Sequence, residues 1–255
     1  MTVVKNFDKG SVNVCTHALW KRYEQGCLPV IPDIKLRSPG EGELLQGKDP
    51  SAYARALEAA GAPVISVVTE EEHYGGSMKL LEEILRAVSI PVLRKDFIRS
   101  VDQLEESARL GVSAVLLIAS LLGEEQLCLL YGEAVRLGME ALVEIHNEEE
   151  LRLAAQLPLT FLGINNRNIL VWETDSGNVG RTEDLARLTG ESLASRKVFL
   201  LSESSLMSPE EVGRAARAGV HGVLVGTALL KAEDPVARYR EFCLDKNNKK
   251  FLFPY

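Results

Sequence analysis

Residues 208–226 read SPEEVGRAARAGVHGVLVG, from Ser208 to Gly226, and this stretch holds the pattern of the whole chain. Ser208 stands where a helix N-cap belongs, Pro209 at the first helical position, and Glu210 and Glu211 at the positive end of the helix dipole. An amphipathic run continues to Ala218. Gly219 stops it, because glycine takes the left-handed C-cap conformation without a Cβ penalty. The apolar run Gly222–Gly226 follows, and its lack of polar alternation indicates a strand buried on both faces.

The same unit recurs on either side. Helical stretches Ser51–Ala60, Asp102–Leu110 and Glu124–Leu137 run into Gly61, Gly111 and Gly138. Apolar runs of strand length lie at Pro29–Lys35, Val64–Thr69, Ile90–Lys95, Ala114–Ala119, Ala141–Ile145, Thr160–Asn165 and Val198–Glu203, ahead of Gly222–Gly226. Eight buried parallel strands, each followed by a helix, close into a (β/α)8 TIM barrel, a fold that takes about 250 residues against the 255 present. The expected architecture is therefore α/β, a single barrel domain over residues 1–255. Residues 1–28, with a helix at Thr16–Gly26, form a short N-terminal helical extension, and 246–255 (KNNKKFLFPY after Asp245 and ending at Tyr255) form a C-terminal tail. An open doubly wound sheet shares the β/α alternation, but its dinucleotide form opens with GxGxxG after the first strand. Here that strand runs into IKLRSPGEGE, a poor match.

Composition narrows the function. Hydrophobic residues make up 46% and charged residues 25%, enough for a large core. A net charge of −7 argues against a nucleic-acid surface, which needs a basic stripe, but permits a locally basic pocket. The four cysteines (Cys15, Cys27, Cys128, Cys243) show no metal-ligand spacing. Cys128 lies in an apolar helical run and reads as core, and free thiols fit a reducing cytoplasm. The N-terminal segment lacks a signal-peptide apolar core, and no run approaches the ~18 apolar residues of a membrane span. A cytoplasmic protein with no membrane partner is expected.

Barrel chemistry sits at the C-terminal ends of the strands. Read there, the chain offers Asp33 and Lys35, with Ser38 beyond; Lys95-Asp96-Phe97; Glu144 followed by His146; Asn165-Asn166-Arg167; Ser202-Glu203-Ser204; and Gly226-Thr227. Unpaired buried charges cost several kcal/mol, so these groups must neutralise one another or a ligand. A ring of ion pairs closing the barrel explains one Lys–Glu pair. Two lysines, an arginine and four acids from five strands fit a functional site better. The loops after the seventh and eighth strands, Glu203-Ser204-Ser205 and Val225-Gly226-Thr227, carry the small residues that let backbone N–H groups approach a phosphate; a plain N-cap is the simpler reading of Gly226-Thr227. Phe97 and Tyr74 are placed to wall an apolar ring or simply to cover the barrel top. His73 and His146 are not spaced as a metal pair and read as loop residues.

These motifs resemble the indole-3-glycerol-phosphate synthase family, the barrel enzymes of tryptophan biosynthesis. The resemblance runs from about Pro29 to Lys231 and rests on DIKLRSPGEG, ISVVTEEEHYGGS, PVLRKDFI, LVEIH, GINNRNI, LSESS and GVLVGTALL. It implies a carboxy-lyase that closes 1-(2-carboxyphenylamino)-1-deoxyribulose 5-phosphate to indole-3-glycerol phosphate, releasing CO2 and water, with no metal or organic cofactor. On that resemblance Lys95 is the general acid at the ribulose carbonyl and Glu144 takes part in proton transfer. Asn165 and Glu203 orient the substrate and these groups, and Asp33 takes the place of the family's first-strand glutamate. Lys35 and Arg167 hold anionic groups; Ser204, Ser205, Gly226 and Thr227 fall at the phosphate, and Ser38 matches a loop serine. The implied partner is a small phosphorylated aromatic amino-sugar, with other tryptophan-pathway enzymes as candidate associates.

The sequence departs from the family pattern in three places. Asp33 is one methylene shorter than glutamate, which retracts its carboxylate by about 1.5 Å, and a displacement of about 1 Å can cost on the order of a hundredfold in rate. Pro32 lies inside the first strand, where it cannot donate to the ladder. Ser205 replaces the glycine of the family's SESG. Two other readings therefore stay open: a paralogue acting on a different aminodeoxyribulose phosphate, and a weakly catalytic barrel kept as a binding or assembly subunit. The intact Lys95, Glu144, Asn165 and Glu203 argue against the second.

Overall fold

The computed structural model describes residues 13–45, 47–167 and 177–245. Eight parallel strands close on themselves: β1 Val30–Ile34, β2 Ile65–Val68, β3 Val92–Lys95, β4 Ala114–Ile118, β5 Glu140–Ile145, β6 Phe161–Asn165, β7 Phe199–Glu203 and β8 Gly222–Val225. Each pairs with its chain neighbours, and β1 closes the ring on β8, so the barrel has no edge to protect. Helices of the outer layer are α2 Pro50–Ala59, α3 Met78–Ala87, α4 Val101–Leu110, α5 Ala119–Arg136, α6 Glu148–Ala154, α7 Gly180–Ser192, α8 Pro209–Arg217, the short α9 Thr227–Leu230 and α10 Pro235–Phe242; α1 Val14–Glu24 precedes the first strand. Gly61, Gly111, Gly138 and Gly219 all take positive φ after their helices, as expected of αL stops. Ser208 caps α8 in a reciprocal capping box with Glu211.

The strands are uniformly buried, yet a period of two divides their side chains. Val30, Ile34, Val67, Val115, Val143, Ile164 and Val223 join the helix layer in one apolar cluster. Ile31, Leu93, Leu116, Leu142, Phe161, Phe199, Leu201 and Leu224 fill the barrel in another. Pro32 fits where it stands: it aligns with Val225 of β8, and pairing with β2 begins only at Asp33.

Helix α1 plugs the N-terminal floor of the barrel. Cys15 and Leu19 join the interior cluster, and the Trp20 ring meets Phe199 edge-on at 5.1 Å between centroids. Its N-terminus is capped from a distance. Glu140, at the start of β5, accepts bonds from the Cys15 N–H, the Thr16 N–H (3.1 Å) and the Thr16 hydroxyl (2.5 Å). Helix α5 starts earlier than the sequence suggests and kinks at Gly123 (φ 67°). Cys128 on it is exposed rather than core, because the apolar run turns this position outward. Among the described residues no helix is long and apolar enough to cross a membrane. The segments 1–12 and 246–255, including the tail, lie outside the described residues.

Candidate active site

At the opposite end, the strand period brings Asp33, Lys95, Glu144, Asn165 and Glu203 to the inner face of the mouth. Lys95 occupies its centre, with Nζ 3.1 Å from Glu203 Oε2 and 3.7 Å from Glu144 Oε2. Both carboxylates are fully buried. Burial pushes Glu144 towards its neutral form, but Lys95, His146 and Asn165 outweigh it and hold the carboxyl well below its ordinary pKa. Glu203 needs space across the neighbouring strand. A Cβ on Gly163 of β6 would come within 2.3 Å of Glu203 Oε1, so the strand glycine is required by the acid beside it.

The turn after β3 is fixed from outside the barrel. Arg94, pointing into the helix layer and buried, bonds Asp96 Oδ2 at 2.8 Å, Thr69 Oγ1 at 3.1 Å and Ser107 Oγ at 3.0 Å. Asp96 also accepts the Phe97 N–H at 2.8 Å. Lys95 and Phe97, on either side of Asp96, thus leave a braced backbone. The sequence places Asp96 at the mouth, but its partner Arg94 carries no signal beyond a charge inside an apolar strand.

Asp33 is held by the Ser66 hydroxyl of β2 at 2.6 Å, and it lies against Gly226, where a Cβ would sit 3.3 Å from Asp33 Oδ2. Lys35 is buried with its Nζ 5.7 Å from the centroid of the Tyr74 ring, within cation–π range. Glu70 folds the loop carrying Tyr74 by accepting the His73 and Tyr74 N–H groups at 2.8 and 2.9 Å.

These residues enclose a cleft of two lobes that share Asp33, Lys35 and Lys95. One lobe is walled by Tyr74, Phe97, Leu116 and Ile118, with Glu70, Asp96 and Glu144 at its edge. The other is lined by Arg167, Ser204, Ser205, Gly226 and Thr227. The second lobe is built on strained backbone: Ser204 and Ser205 adopt φ of 65° and 55°, a region that favours glycine. The Arg167 Nε donates to Ser205 Oγ at 3.2 Å. Asn166 turns away from the mouth and clamps this corner, with its amide nitrogen 3.1 Å from Ser202 Oγ and from the Glu203 and Ser204 carbonyls. Its Oδ1 accepts from Thr182, and Arg181 donates to the carbonyls of Asn165 and Arg167 at 2.9 and 2.8 Å.

Of the sequence-expected residues, the structure gathers Asp33, Lys35, Lys95, Glu144, Asn165, Glu203, Arg167, Ser204, Ser205, Gly226, Thr227, Tyr74 and Phe97 at one mouth. Ser38 is apart from both lobes. It belongs to a two-residue antiparallel pair, Arg37–Ser38 with Gly42–Glu43, and its hydroxyl is buried without a hydrogen-bond partner among the described residues. His146 lies in the turn between β5 and α6, in keeping with its reading as a loop residue, and also reaches the site. Its Nε2 lies 3.3 Å from Glu144 Oε1 and its Nδ1 3.0 Å from Glu150 Oε2.

A (β/α)8 barrel with a lysine–carboxylate cluster on its axis and a polar lobe beside an aromatic one is the frame of an acid–base enzyme for phosphorylated substrates. Comparison with known proteins makes this specific. The family described as Indole-3-glycerol phosphate synthase matches residues 12–242. The chain is 41% identical over 215 residues to the Indole-3-glycerol phosphate synthase of Pyrococcus furiosus, covering 84% of this chain and 91% of that protein. It is 43% identical to that of Thermococcus kodakarensis over 81% of this chain and 88% of the relative. With that of Shouchella clausii it shares 40% identity over 81% and 78%. The chain belongs to the indole-3-glycerol phosphate synthase family.

Proposed function

We propose that the chain closes the indole ring of indole-3-glycerol phosphate, decarboxylating and dehydrating 1-(2-carboxyphenylamino)-1-deoxyribulose 5-phosphate. The observation that carries the roles is the position of Lys95, between two buried carboxylates and at the junction of the two lobes. The aromatic lobe suits the carboxyphenyl ring, and the lobe with Arg167, Ser204, Ser205, Gly226 and Thr227 suits the phosphate. The ribulose carbonyl then falls between them, beside Lys95.

The ring carbon bearing the carboxylate attacks the carbonyl carbon, and a C–C bond forms as the C=O π pair moves onto oxygen. Lys95 delivers a proton to that oxygen, lowering the barrier to charge build-up. The C–CO2 bond breaks and its electron pair restores the aromatic ring. Loss of the new hydroxyl as water requires a proton delivered to it and another removed from the substrate, work suited to Glu144 with Lys95 as its neighbour. Asn165 and Glu203 fix the lysine and the substrate. Phosphate binding supplies energy remote from the reacting atoms, which holds the carbonyl in place. Association with other enzymes of the pathway remains part of this reading.

The test is direct. Purified protein given the carboxyphenylamino-deoxyribulose phosphate should produce indole fluorescence, and the signal should vanish in Lys95→Ala. Tight binding without turnover in the unaltered protein would overturn the reading in favour of a paralogue or a binding subunit.

A further inference from the structure

We propose that His146 is a positioning residue for this reaction, gripping the Glu144 carboxylate from behind while Lys95 grips it from the barrel axis. The inference rests on the roles given above to Glu144 and Lys95. The two oxygens of Glu144 are divided between two cations: Oε2 lies 3.7 Å from Lys95 Nζ and Oε1 lies 3.3 Å from His146 Nε2. The other ring nitrogen, Nδ1, lies 3.0 Å from Glu150 Oε2, which also accepts the His146 N–H at 2.8 Å. A neutral imidazole has one N–H and one lone pair. Nδ1 hydrogen-bonds Glu150 and Nε2 approaches Glu144 at ion-pair distance without hydrogen-bond geometry, so with a carboxylate beside each nitrogen charge attraction favours the doubly protonated imidazolium.

The arrangement is more than helix capping. Asn147 already accepts the Glu150 N–H at 2.9 Å at the start of α6, and its amide bonds Glu150 Oε1 at 2.6 Å. Glu150 is thereby fixed as an anchor, and the ring it holds reaches beyond the cap to β5. His146 lines neither lobe of the cleft, so it acts through Glu144 rather than on substrate. On its outer side it shares a shallow cleft with Arg181 and Asp184 of α7, while Glu203 faces Glu144 from across Lys95. Burial disfavours the ring's charge, but Glu144 and Glu150 outweigh it and raise its pKa to about 10. The line Glu150–His146–Glu144–Lys95–Glu203 alternates in charge from the helix layer to the barrel axis. Its consequence is that Glu144 stays ionised, and that Lys95 does not have to neutralise two carboxylates alone.

Two measurements test it. Side-chain NMR of the four histidines, with His146 assigned by the signal missing in His146→Gln, should show one imidazole protonated through pH 8 and titrating near neutrality in Glu144→Gln. This readout needs no turnover, so it stands or fails separately from the proposed activity. In kinetics, His146→Gln should lower kcat roughly tenfold with KM within about twofold. The acidic limb of kcat against pH should move up by about one unit or more, because an opposite charge beside Glu144 has been lost. His146→Lys should restore the limb, and Glu150→Gln, which leaves the ring but removes its anchor, should shift it part of the way if His146→Gln folds poorly. An imidazole titrating near 6.5 with both carboxylates in place, or an unmoved acidic limb in a folded His146→Gln, would overturn the proposal.

Discussion

Glu140 and Glu144 lie on one strand, four residues and about 13 Å apart, both facing the barrel axis and both buried. Their surroundings differ in one respect. Glu140 at the floor meets N–H and O–H donors of α1, which carry no full charge. Burial prevails there and lifts its pKa to about 7. Glu144 at the mouth meets Lys95 and His146, and its pKa falls instead. Residue type, strand and burial do not set the charge of a buried acid; its partners do. The same difference separates an acid that ties a helix to the barrel from one held ionised at the mouth.

The comparison breaks most sharply at the mouth. Glu144→Gln should cost kcat about 10²–10⁴-fold, the range of a lost proton-transfer group, while thermal unfolding changes little. A folded variant with near-normal turnover would place Glu144 among structural acids, alongside Glu140.

The next largest effect belongs to the floor and appears in stability. A carboxyl whose folded pKa lies near 7, above the ordinary glutamate value of 4.5, is accommodated fully below pH 4.5. That contribution is lost as pH rises through 7, by on the order of 3 kcal/mol when ionisation is complete. Glu140→Gln cannot ionise and should lack this slope. Urea unfolding of both proteins from pH 4.5 to 8 should therefore show native stability falling relative to the variant, with turnover per folded molecule unchanged. A constant difference across that range would mean that the Thr16 and Cys15 donors keep Glu140 ionised in the fold.

Much of this molecule is legible in its sequence because the repeated signals are local. Ser208-Pro209 starts a helix, Gly219 stops one, and Gly222–Val225 can only be a buried strand. The mouth is legible for a related reason: a charge such as Lys95 or Glu144 at the end of an apolar run must have a partner. What escapes are contacts between distant segments. Glu140 stands just before the apolar run Ala141–Ile145, and nothing near it in the chain announces Thr16. His146 read as loop because its significance depends on Glu150 turning back in α6. Cys128 read as core because an apolar run does not say which face of the helix is buried. Ser38 lies in a two-residue ribbon and lines neither lobe.

A smaller effect tests whether the mouth is tuned around its short acid. Asp33 is already satisfied by Ser66 at 2.6 Å and packed against Gly226. Lengthening it in Asp33→Glu pushes the carboxylate off Ser66 and towards Lys35 and Lys95, so kcat/KM should fall by about tenfold, a fraction of the loss that misplacement can bring. Ser66→Ala in the same background should then cost little further, the two changes being coupled. A gain in rate from Asp33→Glu would show instead that the aspartate handicaps an otherwise familiar pocket.

The smallest effect inverts the floor's behaviour. Ser205 holds a φ of 55° and accepts the Arg167 Nε with its hydroxyl. Ser205→Gly removes both the strain and the bond. A left-handed non-glycine residue costs about 1–2 kcal/mol, of which glycine's greater freedom in the unfolded chain cancels about half to one. The variant should therefore be more stable by up to about 1 kcal/mol, a rise of about 2 °C in Tm for a chain of this size. Arg167 loses its bond to Ser205 in the second lobe, so on the proposed reading KM should rise roughly fivefold, the worth of one ordinary hydrogen bond of about 1 kcal/mol, with kcat nearly unchanged. Stability and binding would then move in opposite directions at one residue, as expected where backbone strain is held for a ligand's sake. If Ser205→Gly gains stability and keeps its KM, the hydroxyl serves no purpose at the phosphate and the strained serine is only tolerated there.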